Sequence, residues 1–372
     1  MLSDSRKTRD GESALCVFSH RLCAVPELIS PLSLCRPFTN EVFVKKCISV
    51  TLGCAIVTLV APLVFGASAV TTPLTLEAVN DSKLNAPISS HAKGPAVMHA
   101  QVLLDRAHFS PGEIDAGFGS NMRRAVAGFQ KNRGLPSSGI VDQRTWDALN
   151  RDGEPALTKY QITEADVAGP FTPIPQDMMG KAKLPALGYG SAAEALGEKF
   201  HVKPELLQQL NPGKDLGHAS EDLIVPNVES PSPLPKAAKV VVDKSDSTVS
   251  LVDESGNTIA QFPASSGSRH DPLPIGSWTI KGVARKPTFK YNPALFWDAE
   301  SDQSKATIPA GPNNPVGVVW VDLSKPHYGI HGTPVPANIG KTESHGCIRL
   351  TNWDATVLAD AVRPGMPAIL QK

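Results

Sequence analysis

His331 and Cys347 have the types and the spacing for nucleophilic chemistry. They stand sixteen positions apart (347 − 331), in Ile330-His331-Gly332-Thr333-Pro334 and Ser344-His345-Gly346-Cys347-Ile348-Arg349-Leu350. A thiol attacks as the thiolate, and a nearby imidazole is the commonest way to produce one near neutral pH. Gly346 lets a substrate approach the backbone closely, and the amides of Gly346 and Cys347 are natural donors to an oxyanion. The competing reading is a buried cysteine beside a chance histidine. A zinc site on His327, His331, His345 and Cys347 would lack the paired, closely spaced ligands of a structural site, so no metal or other cofactor is expected. Peptidases of the papain type place cysteine before histidine, the reverse of the order here.

Cysteine usage favours a reactive thiol. Cys16, Cys23, Cys35, Cys47 and Cys54 fall in the first 54 residues, which leaves Cys347 alone in the rest of the chain. Residues 47–65 are an uncharged apolar run preceded by Lys45-Lys46 and followed by Gly66-Ala67-Ser68-Ala69. That is the layout of a secretory signal peptide cleaved after Ala69. A retained membrane anchor is the alternative, since about 19 apolar residues can span a bilayer. Residues 1–43 fit no export signal and suggest initiation near Val42 or Val44. Once residues 1–69 are removed no internal disulfide is possible, and a lone thiol in an oxidising compartment is either a liability or a reactive group.

Composition sets wider bounds. Lys plus Arg and Asp plus Glu are both 36, so the formal charge of zero implies no affinity for nucleic acid. The part after the signal, roughly 300 residues, suits two or three domains.

The elements that would position the pair come last in the chain. Residues 70–95 lack periodicity and are expected to be a flexible lead-in. Over 96–152, apolar spacing and Gly-rich turns predict a small all-α module whose core includes Phe118, Phe129 and Trp146. Residues 153–228 give two helices, near 191–200 and 204–210, and a short strand at 223–226. A Pro/Ser-rich linker at 229–238 precedes a mostly β domain at 239–372. Strands are expected at 240–243, 248–252, 259–262, from 274, at 316–321, ending at His331, and at 368–370, with a helix over 352–362.

The helical module resembles the peptidoglycan-binding domain of cell-wall hydrolases. Gln101…Leu104, Ile114-Asp115-Ala116-Gly117-Phe118-Gly119, Ala125-Val126…Phe129-Gln130, Gly134-Leu135, Gly139 and Thr145-Trp146…Leu149 carry that likeness. Residues 153–228, with Asn211-Pro212-Gly213 and Leu223-Ile224-Val225-Pro226, look like a degenerate LysM-type α/β module or a plain spacer. Residues 238–372 resemble the YkuD-type L,D-transpeptidase family. The likeness rests on His331 and the Ser344–Leu350 run, with Pro274-Ile275-Gly276, Gly311-Pro312-Asn313-Asn314-Pro315-Val316-Gly317 and Asn352-Trp353-Asp354 around them.

The resemblance implies a multidomain α+β protein that transfers acyl groups between peptidoglycan stem peptides, donor and acceptor, through a Cys347 thioester. His331 would be base and then acid, held by the backbone carbonyl of Gly332. Ser344 and His345 would line the site. Arg349 would bind a substrate carboxylate, or else form a structural ion pair with Asp354. Carbapenem-type inhibitors would trap Cys347. Tethering by the helical module would raise the local concentration of substrate in a secreted or periplasmic, cell-wall-associated enzyme. Hydrolysis in the manner of an L,D-carboxypeptidase, or a non-catalytic wall-binding protein, are the alternatives; Cys347→Ser separates the binder from the enzymes.

Overall fold

The computed structural model describes residues 73–372, so the expected N-terminal extension and signal segment at 1–69 lie outside the described residues. Helices α1 (Leu76–Val79), α2 (Pro95–Arg106), α3 (Ser120–Asn132) and α4 (Gln143–Leu149) come first. Their starts follow local chemistry. Thr75 and Asp142 accept from backbone amides as N-caps, and Pro95 occupies the first turn of α2, where no intrahelical N–H is needed. Phe118, Phe129 and Trp146 are buried together with Leu103 and Leu104 of α2.

The other side of α2 enters a second core. Met98 and Val102 pack there with Leu157, Leu196, Leu207 and Leu223. These come from β1 (Leu157–Gln161), α7 (Ala192–Lys199), α8 (Pro204–Leu210) and β2 (Asp222–Pro226), with α5 (Glu164–Val167) and α6 (Met178–Ala182) in the connection after β1. β1 and β2 pair antiparallel, Leu157 opposite Pro226. A helix buried on two sides must satisfy its polar groups internally. His99 Nδ1 meets the Val79 carbonyl at 2.6 Å, and Arg106 binds Asp152 and the carbonyls of Glu154, Pro155 and Asn227. The expected boundary between 152 and 153 therefore does not separate two independent cores, because α2 belongs to both.

The segment expected as a flexible lead-in is likewise pinned, from residue 73 on. Val79 fills the second core, and Ile88 exchanges backbone hydrogen bonds with Val141 at 3.1 and 3.0 Å. Single anchors of this kind leave no periodicity to detect.

The β domain is an eight-stranded sheet. Its strands are β3 (Lys239–Asp243), β4 (Thr248–Val252), β5 (Thr258–Pro263), β6 (Gly276–Arg285), β9 (Val319–Leu323), β10 (Gly329–His331), β11 (Ile348–Arg349) and β12 (Pro367–Gln371), in the order β11-β10-β9-β6-β12-β3-β4-β5. β7 (Phe289–Tyr291) and β8 (Ala306–Ile308) form a separate antiparallel pair. Helix α9 (Asn352–Ala361) lays Ala355 and Leu358 on a core with Val240, Leu251, Val321, Ile330 and Ile348. The strand expected from 316 begins only at Val319, because Gly317 sits in a turn at φ +63° closed onto the Asn314 carbonyl.

β5 lies at the sheet edge, where unpaired backbone groups would invite aggregation. Here the helical module covers them. Ser110 donates to the Gln261 carbonyl and the Gln261 amide to the His108 carbonyl, both at 2.9 Å, while Asn132 Nδ2 donates to the Thr258 carbonyl at 2.8 Å. Residues 229–238 contain no helix or strand, and Leu234 and Ala237 pack on the sheet core. The module is thus docked on the β domain and not held on a free tether. No helix among the described residues is long and apolar enough to cross a membrane.

Candidate active site

Two short parallel strands bring His331 and Cys347 together. β10 and β11 pair with Ile330 opposite Ile348 and His331 opposite Arg349, and the Leu350 amide closes onto the His331 carbonyl at 2.8 Å. On the other side of β10, His331 lies opposite Trp320 of antiparallel β9. Side chains alternate along a strand, so Ile330, Val321 and Ile348 enter the core while His331, Trp320, Arg349 and, two residues before it, Cys347 share the opposite face. The far side of β11 is held by Ser265, which exchanges backbone hydrogen bonds with Arg349 at 3.0 and 2.8 Å. The cysteine loop is therefore fixed from both flanks.

The imidazole is set by two contacts. It is 4% exposed. Nδ1 lies 2.7 Å from the Gly332 carbonyl, and a carbonyl only accepts, so Nδ1 carries the hydrogen and Nε2 keeps its lone pair. Trp320 stacks on the ring at 5.4 Å between centroids and 14° between planes. Burial brings the pKa of His331 down to about 4, with the Arg349 cation acting in the same direction and the Gly332 hydrogen bond opposing. His331 is a neutral base at pH 7.

Cys347 is half-buried. Its thiol makes one polar contact, 3.7 Å to the His327 carbonyl, and none at hydrogen-bonding distance to His331. Burial pushes the thiol up from its ordinary value, against the Gly329 backbone and the Arg349 cation. The resting site therefore holds a protonated thiol beside an unprotonated imidazole, consistent with His331 as the base that generates the thiolate. Proton transfer has to accompany attack.

Ser344 does not reach His331. Its hydroxyl donates to the Cys347 carbonyl at 2.5 Å and accepts from the Gly346 amide at 3.2 Å, closing a turn around the nucleophile. In this turn the Gly346 amide is engaged, whereas the Cys347 amide has no protein acceptor among the described residues. Gly346 adopts φ +101°, and a Cβ there would lie 2.9 Å from the Tyr328 ring. His345 turns to Asp298, 2.9 Å away, between Phe296 and the exposed Trp297.

Among the described residues Arg349 has no carboxylate partner. One guanidinium nitrogen donates to the Glu343 carbonyl, and the buried Nε is unpartnered. The expected alternative, an ion pair with Asp354, is not formed. Asp354 is buried and accepts from the Ser110 hydroxyl at 3.1 Å. Among the described residues no group of three or more His, Cys, Asp or Glu side chains could hold a metal ion. Trp320, Tyr328, Asp298 and Asn352 belong to the site's surroundings and were not singled out as site residues from sequence. Only the strand pairing reveals that Trp320 faces His331.

A YkuD family model, the L,D-transpeptidase catalytic domain, matches residues 237–370, and a model described as "Putative peptidoglycan binding domain" matches residues 93–149. The chain is 31% identical over 178 residues to "Putative L,D-transpeptidase YkuD" of Bacillus licheniformis, which covers 47% of this chain and 91% of that protein. It is 26% identical over 204 residues to "Probable L,D-transpeptidase YbiS" of Escherichia coli K12, covering 52% and 66%. The solved structure of L,D-transpeptidase 3 from Mycobacterium tuberculosis with a faropenem-derived adduct is 20% identical, covers 41% of this chain and 75% of that one, and has a TM-score of 0.31. The chain belongs to the L,D-transpeptidase family, enzymes that act on peptidoglycan.

Proposed function

We propose that Cys347 carries a stem-peptide acyl group as a thioester and that His331 moves the protons. Sγ attacks the carbonyl carbon between an L-centre and the terminal D-alanine of a donor stem, while its proton passes to His331 Nε2. The tetrahedral oxyanion is met first by the Cys347 amide, with Gly346 joining if Ser344 releases it. Collapse breaks the C–N bond, His331 returns the proton to the leaving amine, and D-alanine departs. A side-chain amine of an acceptor stem then attacks the thioester and restores the thiol, leaving a cross-link. Water in place of the amine gives hydrolysis.

The observation that carries this reading is the Nδ1–H bond from His331 to Gly332, which leaves Nε2 as the basic nitrogen of a ring on the face shared with Cys347. Arg349, half-buried with its Nε unpartnered and no carboxylate beside it among the described residues, is the partner for a substrate carboxylate. The helical module, docked against the sheet, is the wall-binding part. The pairing of β1 with β2 around α7 and α8, with α5 and α6 inserted after β1, supports a degenerate LysM-like unit at 153–228. The apolar run at 47–65 followed by Gly66-Ala67-Ser68-Ala69, with Cys347 as the single cysteine after it, supports an enzyme outside the cytoplasm, associated with the cell wall.

The test is intact-mass measurement after incubation with imipenem, and separately with purified tetrapeptide muropeptides. The native chain is expected to gain a carbapenem adduct and to form dimeric products. Cys347→Ser should do neither, and His331→Ala should acylate far more slowly. Cross-linking by Cys347→Ser would end the thioester reading, and an adduct forming at the native rate in His331→Ala would remove His331 from the mechanism.

A further inference from the structure

We infer that Glu198 in α7 and Asn352 at the start of α9 are positioning residues that hold the Gly332 carbonyl in place for His331. This rests on His331 being the base. Asn352 is 1% exposed, and its Nδ2 donates to both carboxylate oxygens of Glu198, at 3.2 and 3.0 Å, and to the Pro312 carbonyl at 3.2 Å. Its Oδ1 accepts from the Val318 amide at 3.2 Å. A carboxylate and a carbonyl only accept, so together they force the NH2 end of the Asn352 amide toward α7 and the oxygen toward the catalytic strands.

That oxygen lies directly against Gly332. A Cβ on Gly332 would fall 2.2 Å from Asn352 Oδ1, so residue 332 has no room for a side chain. The Gly332 peptide is then held on three sides: its amide donates to the Val319 carbonyl at 3.3 Å, its Cα rests on Asn352, and its carbonyl accepts from His331. Glu198 is itself fixed by the Tyr189 hydroxyl at 3.0 Å. A continuous chain of contacts, Tyr189–Glu198–Asn352–Gly332–His331, therefore runs from the segment between the helical module and the sheet into the catalytic pair. Removing Glu198 would free the amide to flip and would loosen the carbonyl that sets the imidazole tautomer. Misplacement on the scale of an ångström costs up to about a hundredfold in rate.

The experiment measures the rate of Cys347 acylation by imipenem against pH in the full chain, for the native protein, Glu198→Gln, Glu198→Ala, Asn352→Ala, the double variant and His331→Ala. Glu198→Ala and Asn352→Ala are expected to acylate about ten- to a hundredfold more slowly, with a displaced pH profile. The double variant should be no slower than Asn352→Ala, because the two act in series. Glu198→Gln, which keeps the shape of a half-buried side chain, covers the case in which Asn352→Ala does not fold. If the Glu198 variants keep the native rate and pH profile while their melting temperature falls, the pair is structural only and the inference is overturned. If His331→Ala itself acylates at the native rate, the assignment of the base fails instead, and that outcome is distinct because the control alone reports it.

Discussion

Asn121 of α3 donates its side-chain amide to the Ile339 carbonyl at 2.8 Å, tying the helical module to the loop that separates His331 from Cys347. The contact is buried and spans 218 positions of sequence. Asn121→Ala should leave the Ile339 carbonyl without a partner and lower stability by about 1–3 kcal/mol, read by urea unfolding. It should also speed tryptic cleavage after the exposed Lys341 in that loop. Unchanged stability together with unchanged cleavage would mean that water replaces the amide without cost.

How much of this was legible in the sequence depends on the range of each signal. His331, Cys347 and the turn glycine Gly346 sit in short runs whose chemistry is local, and β3, β4, β5 and α9 follow from alternation and capping. The Gly332 contact to His331 needs only the next residue in the chain. By contrast, Glu198 with Asn352, Ser110 with Asp354 and Asn121 with Ile339 join residues 154, 244 and 218 positions apart. No periodicity encodes such pairs, so the docking of the helical module is not legible in the sequence, which shows only a Pro/Ser-rich linker at 229–238. An ion pair between Arg349 and Asp354, five positions apart, is one of the two readings of Arg349 that the sequence allows. Strand β11 and helix α9 send them in different directions.

His331 should make stability fall in acid. Its pKa is about 4 when folded against the ordinary 6.5 of an unfolded chain, so between those limits the unfolded state binds the extra proton. The stabilisation is present above pH 6.5 and is lost as pH drops toward 4, by at most roughly 3 kcal/mol. His331→Gln is expected to flatten that part of the stability curve. The same titration should slow imipenem acylation below about pH 4–5 as Nε2 becomes protonated. A pH profile of acylation that is flat across this range would show that the lone pair is not needed.

Asp354 acts with the opposite sign. Burial, reinforced by Asp105 nearby, raises its carboxyl to about 7, above the 3.8 of a free aspartate. Its contribution is full below pH 3.8 and is lost as pH rises through 7, because ionisation then leaves a buried charge. Asp354→Asn keeps an acceptor for Ser110 and removes that charge. It should be more stable than the native chain at pH 8 by about 1–3 kcal/mol, with the difference shrinking toward pH 5. His201, paired with Asp105 at 2.8 Å, is the cation that would dampen the effect. The two titrations oppose one another between pH 4 and 6.5, so each must be read from its own variant against the native curve.

Arg349 separates binding from chemistry. Its guanidinium shares the face of His331 and Cys347, lies beside the thiol and has a buried Nε that no protein group satisfies. A buried guanidinium N–H without an acceptor is costly, and a carboxylate delivered by substrate would relieve that cost. Lysine keeps the positive charge that favours the thiolate but loses the planar fork. Arg349→Lys should therefore raise KM for a stem peptide with a free terminal carboxylate by about tenfold, equivalent to about 1.4 kcal/mol, while alkylation of Cys347 by neutral iodoacetamide stays near the native rate. A donor with an amidated terminus should bind both proteins alike. If the variant instead loses alkylation and substrate binding together, Arg349 serves the thiol and not the substrate, because only a carboxylate site predicts that the defect disappears with the substrate's charge.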